Sequence, residues 1–181
     1  MTRRVRLGLS AIAASGAIVL AAPANAQDRS QVVRDAVIDL CPELMEIETP
    51  LSEHEGVAGS GFLAGEPQEH PRMGTVDVVF RAFDDGGRIQ ILNSRDASFC
   101  QVGFTGPDAR DTFDKLLNDA ALIADNLSPD QSAASPDPRI KMTTLRTAAI
   151  DGVYLGVQFV DLTEIDPDAP LMVQQYVLEE E

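Results

Sequence analysis

Residues 75–106, TVDVVFRAFDDGGRIQILNSRDASFCQVGFTG, decide how this chain folds. Apolar residues recur at every second position, as they do when side chains alternate between the two sides of a pleated strand. Val76, Val78, Phe80 and Ala82 share one face, and Asp84-Asp85-Gly86-Gly87 then supplies a turn. Ile89 and Ile91 resume the alternation, residues 93–96 turn the chain again, and Cys100, Val102 and Phe104 share the face of a third strand. Three strands joined by short turns make an antiparallel meander, with Cys100 on its core face.

The role of Cys100 depends on the compartment, and the other end of the chain speaks to that. Arg3, Arg4 and Arg6 precede an apolar stretch at residues 7–22. Pro23 follows, then Ala24-Asn25-Ala26, a small-x-small cleavage pattern. These are the parts of a secretory signal in order, so residues 1–26 are expected to be cleaved and the mature chain to begin at Gln27. A membrane anchor fits less well, because the apolar run is shorter than the roughly 20 residues that span a bilayer. The first cysteine is Cys41, too far along for a lipid anchor, and Arg6 stands where a twin-arginine signal has an apolar residue. The expected location is therefore the periplasm or the exterior.

In an oxidising compartment two cysteines read as one bridge. Cys41 and Cys100 lie too far apart in sequence for a zinc-binding pair, and neither has a histidine in a recognisable catalytic context. A structural disulfide joining Cys41 to Cys100 is the expectation.

Removing residues 1–26 takes away three arginines and no acid, which moves the formal charge from −15 to −18. That balance argues against nucleic-acid binding and against insertion into or attraction to anionic membranes. It favours soluble acidic cover, and among partners a basic protein or peptide.

Around the meander, residues 28–40 read as a helix with Val33, Ala36, Val37, Leu40 and Cys41 on one face, stopped by Pro42. Residues 43–48 are expected to add a turn with Leu44 and Ile47 inward. Ser52-Glu53-His54-Glu55 has the form of a capping box, which suggests a short helix to about Ser60, though Gly56, Gly59 and Gly61 count against it. The rest of residues 49–74 reads as a glycine-rich connection. Past the meander, Thr105-Gly106-Pro107-Asp108 opens a helix whose stripe runs Phe113, Leu116, Leu117, Ala120, Ile123, Ala124, Leu127. Residues 128–138 form a polar, proline-bearing loop. Asp151-Gly152 is a strong hairpin signal between residues 139–150 and 153–161, and Leu171, Val173, Gln175 and Val177 suggest a last edge strand. The expected fold is a single exported α+β domain over residues 27–181, with an antiparallel sheet of five to six strands. The order is α, a short α, βββ, α, ββ and a final β, with the helices and the disulfide on one face.

Chemistry-bearing motifs are scarce. Gly59-Ser60-Gly61 lacks the preceding strand of a dinucleotide loop and the glycine spacing of a hydrolase elbow. Asp161, Glu164, Asp166 and Asp168 are the one acidic group that could gather round a hard cation, and His54, His70 and Met73 the one set suited to copper. Both sets read more simply as turn and loop residues. No catalytic residue, cofactor or metal is assigned. The expected function is a non-catalytic binding module of the bacterial envelope; the alternative is a small hydrolase or metal-dependent enzyme using clustered carboxylates.

Overall fold

A computed structural model of the protein describes residues 28–179, apart from 47, 48, 72, 95, 131–134 and 136. The expected signal peptide, the start at Gln27, the inward Ile47 and part of the 128–138 loop lie outside the described residues.

The chain forms one antiparallel sheet. Its meander is the expected one, with β3 (Gly74–Ala82), β4 (Arg88–Ser94) and β5 (Phe99–Thr105) paired in sequence order. A second hairpin joins β7 (Lys141–Arg146) to β8 (Val153–Asp161). Asp151 and Gly152 both take positive φ at its turn, 53° and 79°, the conformation that favours Asp-Gly there.

Among the described residues the strand count is nine, not five to six. The three additional strands, β1 (Leu63–Ala64), β2 (Gln68–His70) and β6 (Ser128–Pro129), are two or three residues long. Segments that short carry no period, so the sequence reads as loop, and β1 and β2 occupy what reads as a plain glycine-rich connection. A larger correction concerns β9 (Leu171–Glu179), which is central and not an edge strand. It pairs with β5 on one side and β8 on the other, closing the meander and the hairpin into a sheet of order β1-β3-β4-β5-β9-β8-β7-β6, with β2 also on β3. Pairing across some 70 residues of chain leaves no local trace in the sequence.

The faces follow from the register. Val79, Ile91, Val102, Val173 and Phe159 lie side by side on successive strands, and all are buried in the core. Val76, Val78, Phe80 and Ala82 share one face of β3 as expected, but it is the face away from the core, to which Asp77, Val79 and Arg81 point. Alternation fixes a period but not a side, and Val78-Val79 offers an apolar residue in either phase. Asp77 can face inward because its carboxylate accepts the Leu51 N–H at 3.0 Å. Arg81 can because it donates to the Ser60 carbonyl at 2.7 Å and stacks on Phe83.

The first helix, α1 (Arg29–Asp35), does not stop at Pro42. It passes through a π-helical turn, Ala36–Leu40, into α2 (Cys41–Leu44). In that turn the Cys41 N–H bonds to the Ala36 carbonyl, five residues back, so the Val37 carbonyl faces Pro42, which has no N–H to give. Gln175 of β9 fills the gap, its amide donating to the Val37 carbonyl at 2.5 Å. A side chain 138 residues away thus lets the helix run on past proline.

The helices pack Val33, Val37, Cys41, Leu44, Phe113 and Leu116 into the same core as the sheet. Cys41 and Cys100 are disulfide-bonded, their Cα atoms 5.6 Å apart, which staples α2 to β5 as expected. The capping box does not form: Leu51–Glu53 is a 3₁₀ turn, and α3 (Glu55–Gly59) starts after His54 with no side-chain cap. The last helix, α4 (Ala109–Asn118), is shorter than its stripe, giving way to a 3₁₀ turn at Ala120–Leu122. Asn118-Asp119 is a poor helix former, and Asp119 leaves helical geometry at φ −104°, ψ 28°. Phe113 meets Phe159 edge-on at 5.6 Å.

Candidate functional site

The sequence's candidate ligands are kept apart. Asp161 ends β8 almost fully buried, accepting from Arg110 at 2.8 Å and from the Thr163 hydroxyl and N–H at 2.6 and 2.9 Å. Glu164 pairs with Lys141 at 2.5 Å, and Asp166 caps the Asp168 N–H. His54 stands before α3, 3.7 Å from Glu43, whereas His70 lies on β2 opposite Gly74 and Met73 gives its carbonyl to Ser94. Among the described residues no group of three or more His, Cys, Asp or Glu side chains could hold a metal ion.

A cleft of about 610 Å³ opens at one end of the sheet, between the β3–β4 turn, the start of α4 and the β8–β9 loop. Of its charged lining, Asp85 pairs with Arg29 and Arg110 with Asp161, both partners lying behind the cleft wall. Arg29, itself buried, donates to Asp85 at 2.6 Å and to Asp108 at 2.7 Å, and lies over Phe83. Gly87 and Gly106 make room for it; a Cβ on Gly87 would stand 1.8 Å from the guanidinium. Burial alone would lower the Arg29 pKa, but its hydrogen bonds to Asp85 and Asp108 outweigh that and raise it. The hydrogen bond from Arg29, then the Gly87 N–H, hold Asp85 below the usual carboxylate range. Asp161, at the same end of the sheet, is pushed up by burial but pulled further down by Thr163 and Arg110. Carboxylates held ionised and saturated with donors make poor general bases. The cleft is best explained as a clasp joining α1, the meander turn and α4.

The second concavity differs in kind. It is a groove of about 190 Å³ between the first helix and the chain around α3. Val32, Ala36 and Phe62 form a buried floor, with Leu40 beside them. Asp35, Asp39 and Glu43 line one wall, four residues apart in sequence, and Gly56 and Ser60 the other. Like charges four apart on a helix cost about 0.2–0.5 kcal/mol per pair. Asp35 accepts from the Gln31 amide at 2.6 Å and Glu43 lies 3.7 Å from His54, while Asp39 has no partner among the described residues. Apolar floor and anionic wall together suit an apolar side chain flanked by positive charge.

Sequence reasoning passed over this groove. The acids at 35, 39 and 43 beside the stripe of Val32, Ala36 and Leu40 were a usable signal, but Phe62 joins them only through the pairing of β1 with β3. Comparison with models of protein families, with curated proteins and with solved structures finds no match to this chain.

Proposed function

We propose that the chain is a periplasmic or secreted binding module, exported through the signal at residues 1–26, whose ligand is a cationic, amphipathic segment of a protein or peptide. The observation that carries this reading is the acid-walled apolar groove along the first helix. Its volume suits one large apolar side chain, and Asp35, Asp39 and Glu43 stand where lysines or arginines flanking that side chain would reach. The formal charge of −18 for residues 27–181 adds long-range attraction for such a partner. The separate engagement of Asp161, Glu164 and Asp166 also supports binding over carboxylate chemistry.

The test is fluorescence anisotropy of a short labelled leucine–lysine peptide titrated with residues 27–181, beside the same peptide with lysine replaced by glutamate. Saturable binding of the lysine peptide alone is expected, weakening as salt screens the charges. The double variant Asp39→Asn, Glu43→Gln should weaken it by about three- to tenfold. Equal binding of both peptides, or none, contradicts the reading.

A further inference from the structure

The face of the sheet turned away from the helices carries a second, independent message. Its residues are those whose register neighbours alternate with the core rows. One row runs Val78, Leu92, Gln101, Gln174, Gln158, Thr144 across six strands. The next runs Phe80, Gln90, Gly103, Met172, Val160, Met142. Phe99, Tyr176 and Tyr154 lie on the other side of the first row. No Asp or Glu occupies any outward position of these six strands, in a chain with 29 acids. Its basic residues, Arg88 and Arg146, sit at the margins, and Arg146 stacks on Tyr154. Most of the apolar and glutamine side chains there are only half-buried, and Val76, Val78 and Val160 are buried outside the main core cluster.

We infer that this face is a self-association surface, on which a second copy of the chain packs sheet to sheet. The occupant follows from charge. Two copies at −18 each repel across their acidic surfaces, so contact between them is least opposed where the outward strand positions carry no acid, Asp130 reaching Tyr176 only from the β6 edge. A cationic partner, by the same logic, gains nothing here. The chemistry is also self-complementary, as a two-fold interface requires. The Gln174 amide donates to the Gln101 oxygen at 2.8 Å and the Gln158 amide to the Thr144 hydroxyl at 3.1 Å. That leaves the Gln101 amide as donor and the Gln174 oxygen as acceptor for the same pair on the facing copy. Aromatic and methionine side chains around this row supply the apolar area.

Six strands spaced about 4.8 Å apart, each offering roughly 20 Å of length, give a face on the order of 500 Å² in projection. That is the small end of specific interfaces, so the dimer should be weak, with a Kd on the order of 10 μM or higher. This inference does not rest on the groove, and salt separates the two. Peptide binding in the groove weakens with salt, whereas dimerisation strengthens, because screening removes the mutual repulsion.

The experiment is sedimentation velocity of residues 27–181 over a concentration series at low and high salt. A concentration-dependent dimer favoured by salt is expected. Gln174→Glu should shift the series to monomer, with circular dichroism checking that the variant folds. Met172→Lys should do the same although it lowers the overall negative charge, which separates loss of the face from added repulsion. A wild-type chain that stays monomeric throughout, or a dimer untouched by both folded variants, overturns the inference.

Discussion

Cys41 and Cys100 tie the buried face of α2 to that of β5, their Cα atoms 5.6 Å apart. Their pairing was expected from an even cysteine count together with the export signal read at residues 1–26, and both are fully buried. Closing a loop of 59 residues contributes about 4 kcal/mol in the chain-entropy picture. Replacing either cysteine with serine should therefore lower unfolding free energy in urea by about 2–5 kcal/mol, and the native protein should show no thiol until unfolded and reduced. Arg29 has no comparable sequence signal, because Asp85 and Asp108 lie 56 and 79 residues away. Its removal leaves two carboxylates facing each other with no cation between them; Arg29→Ala should cost about 2 kcal/mol, discounted for the partial exposure of both acids. The pH dependence has a definite sign. Asp85 is held below its ordinary value of 3.8, so its contribution is complete above that value and is lost as pH falls toward the depressed folded one. Thermal melts from pH 7 down into the acid range should show this loss in the wild type and a smaller one in Arg29→Ala.

At the scale of elements, Gln175 and Pro42 explain each other. Proline deprives the Val37 carbonyl of its donor, and glutamine, buried in the middle of β9, supplies one. Gln175→Leu should cost about 1–3 kcal/mol, the penalty of an unsatisfied buried carbonyl. The cost should shrink when combined with Pro42→Ala, whose N–H can reach Val37; a double-mutant cycle by urea unfolding reads that coupling. Additive effects would contradict the account. The same elements show where sequence reading stops. The meander and the Asp151-Gly152 hairpin were legible because turn residues and period-two runs are local. The phase of β3 was not, since Asp77 and Arg81 turn inward only because Leu51 and Ser60 meet them there. The central place of β9 was hidden too, because Leu171, Val173, Gln175 and Val177 alternate as they would in any strand with one buried face.

For the whole molecule, charge organises the surfaces. Acids wall the groove of the first helix, while the outward positions of the six long strands carry none. The acidic balance was legible from composition; its partition between two surfaces was not, because it depends on how β1 and β9 enter the sheet. The formal charge of residues 27–181 should leave DNA and anionic liposomes unbound at physiological salt, and saturable binding to either in a filter or flotation assay would contradict that. Mass spectrometry of the exported protein should find its first residue to be Gln27; an intact N-terminus would contradict export by cleavage. Whether a cationic amphipathic segment docks in the groove of the first helix is read residue by residue in amide chemical-shift mapping of residues 27–181 with the leucine–lysine peptide. Docking there gives shifts confined to residues 32–43 and 56–62, which in the Asp39→Asn, Glu43→Gln variant need about three- to tenfold more peptide to saturate. Shifts centred on the sheet-end cleft or the open sheet face, or none at saturating peptide, would contradict it.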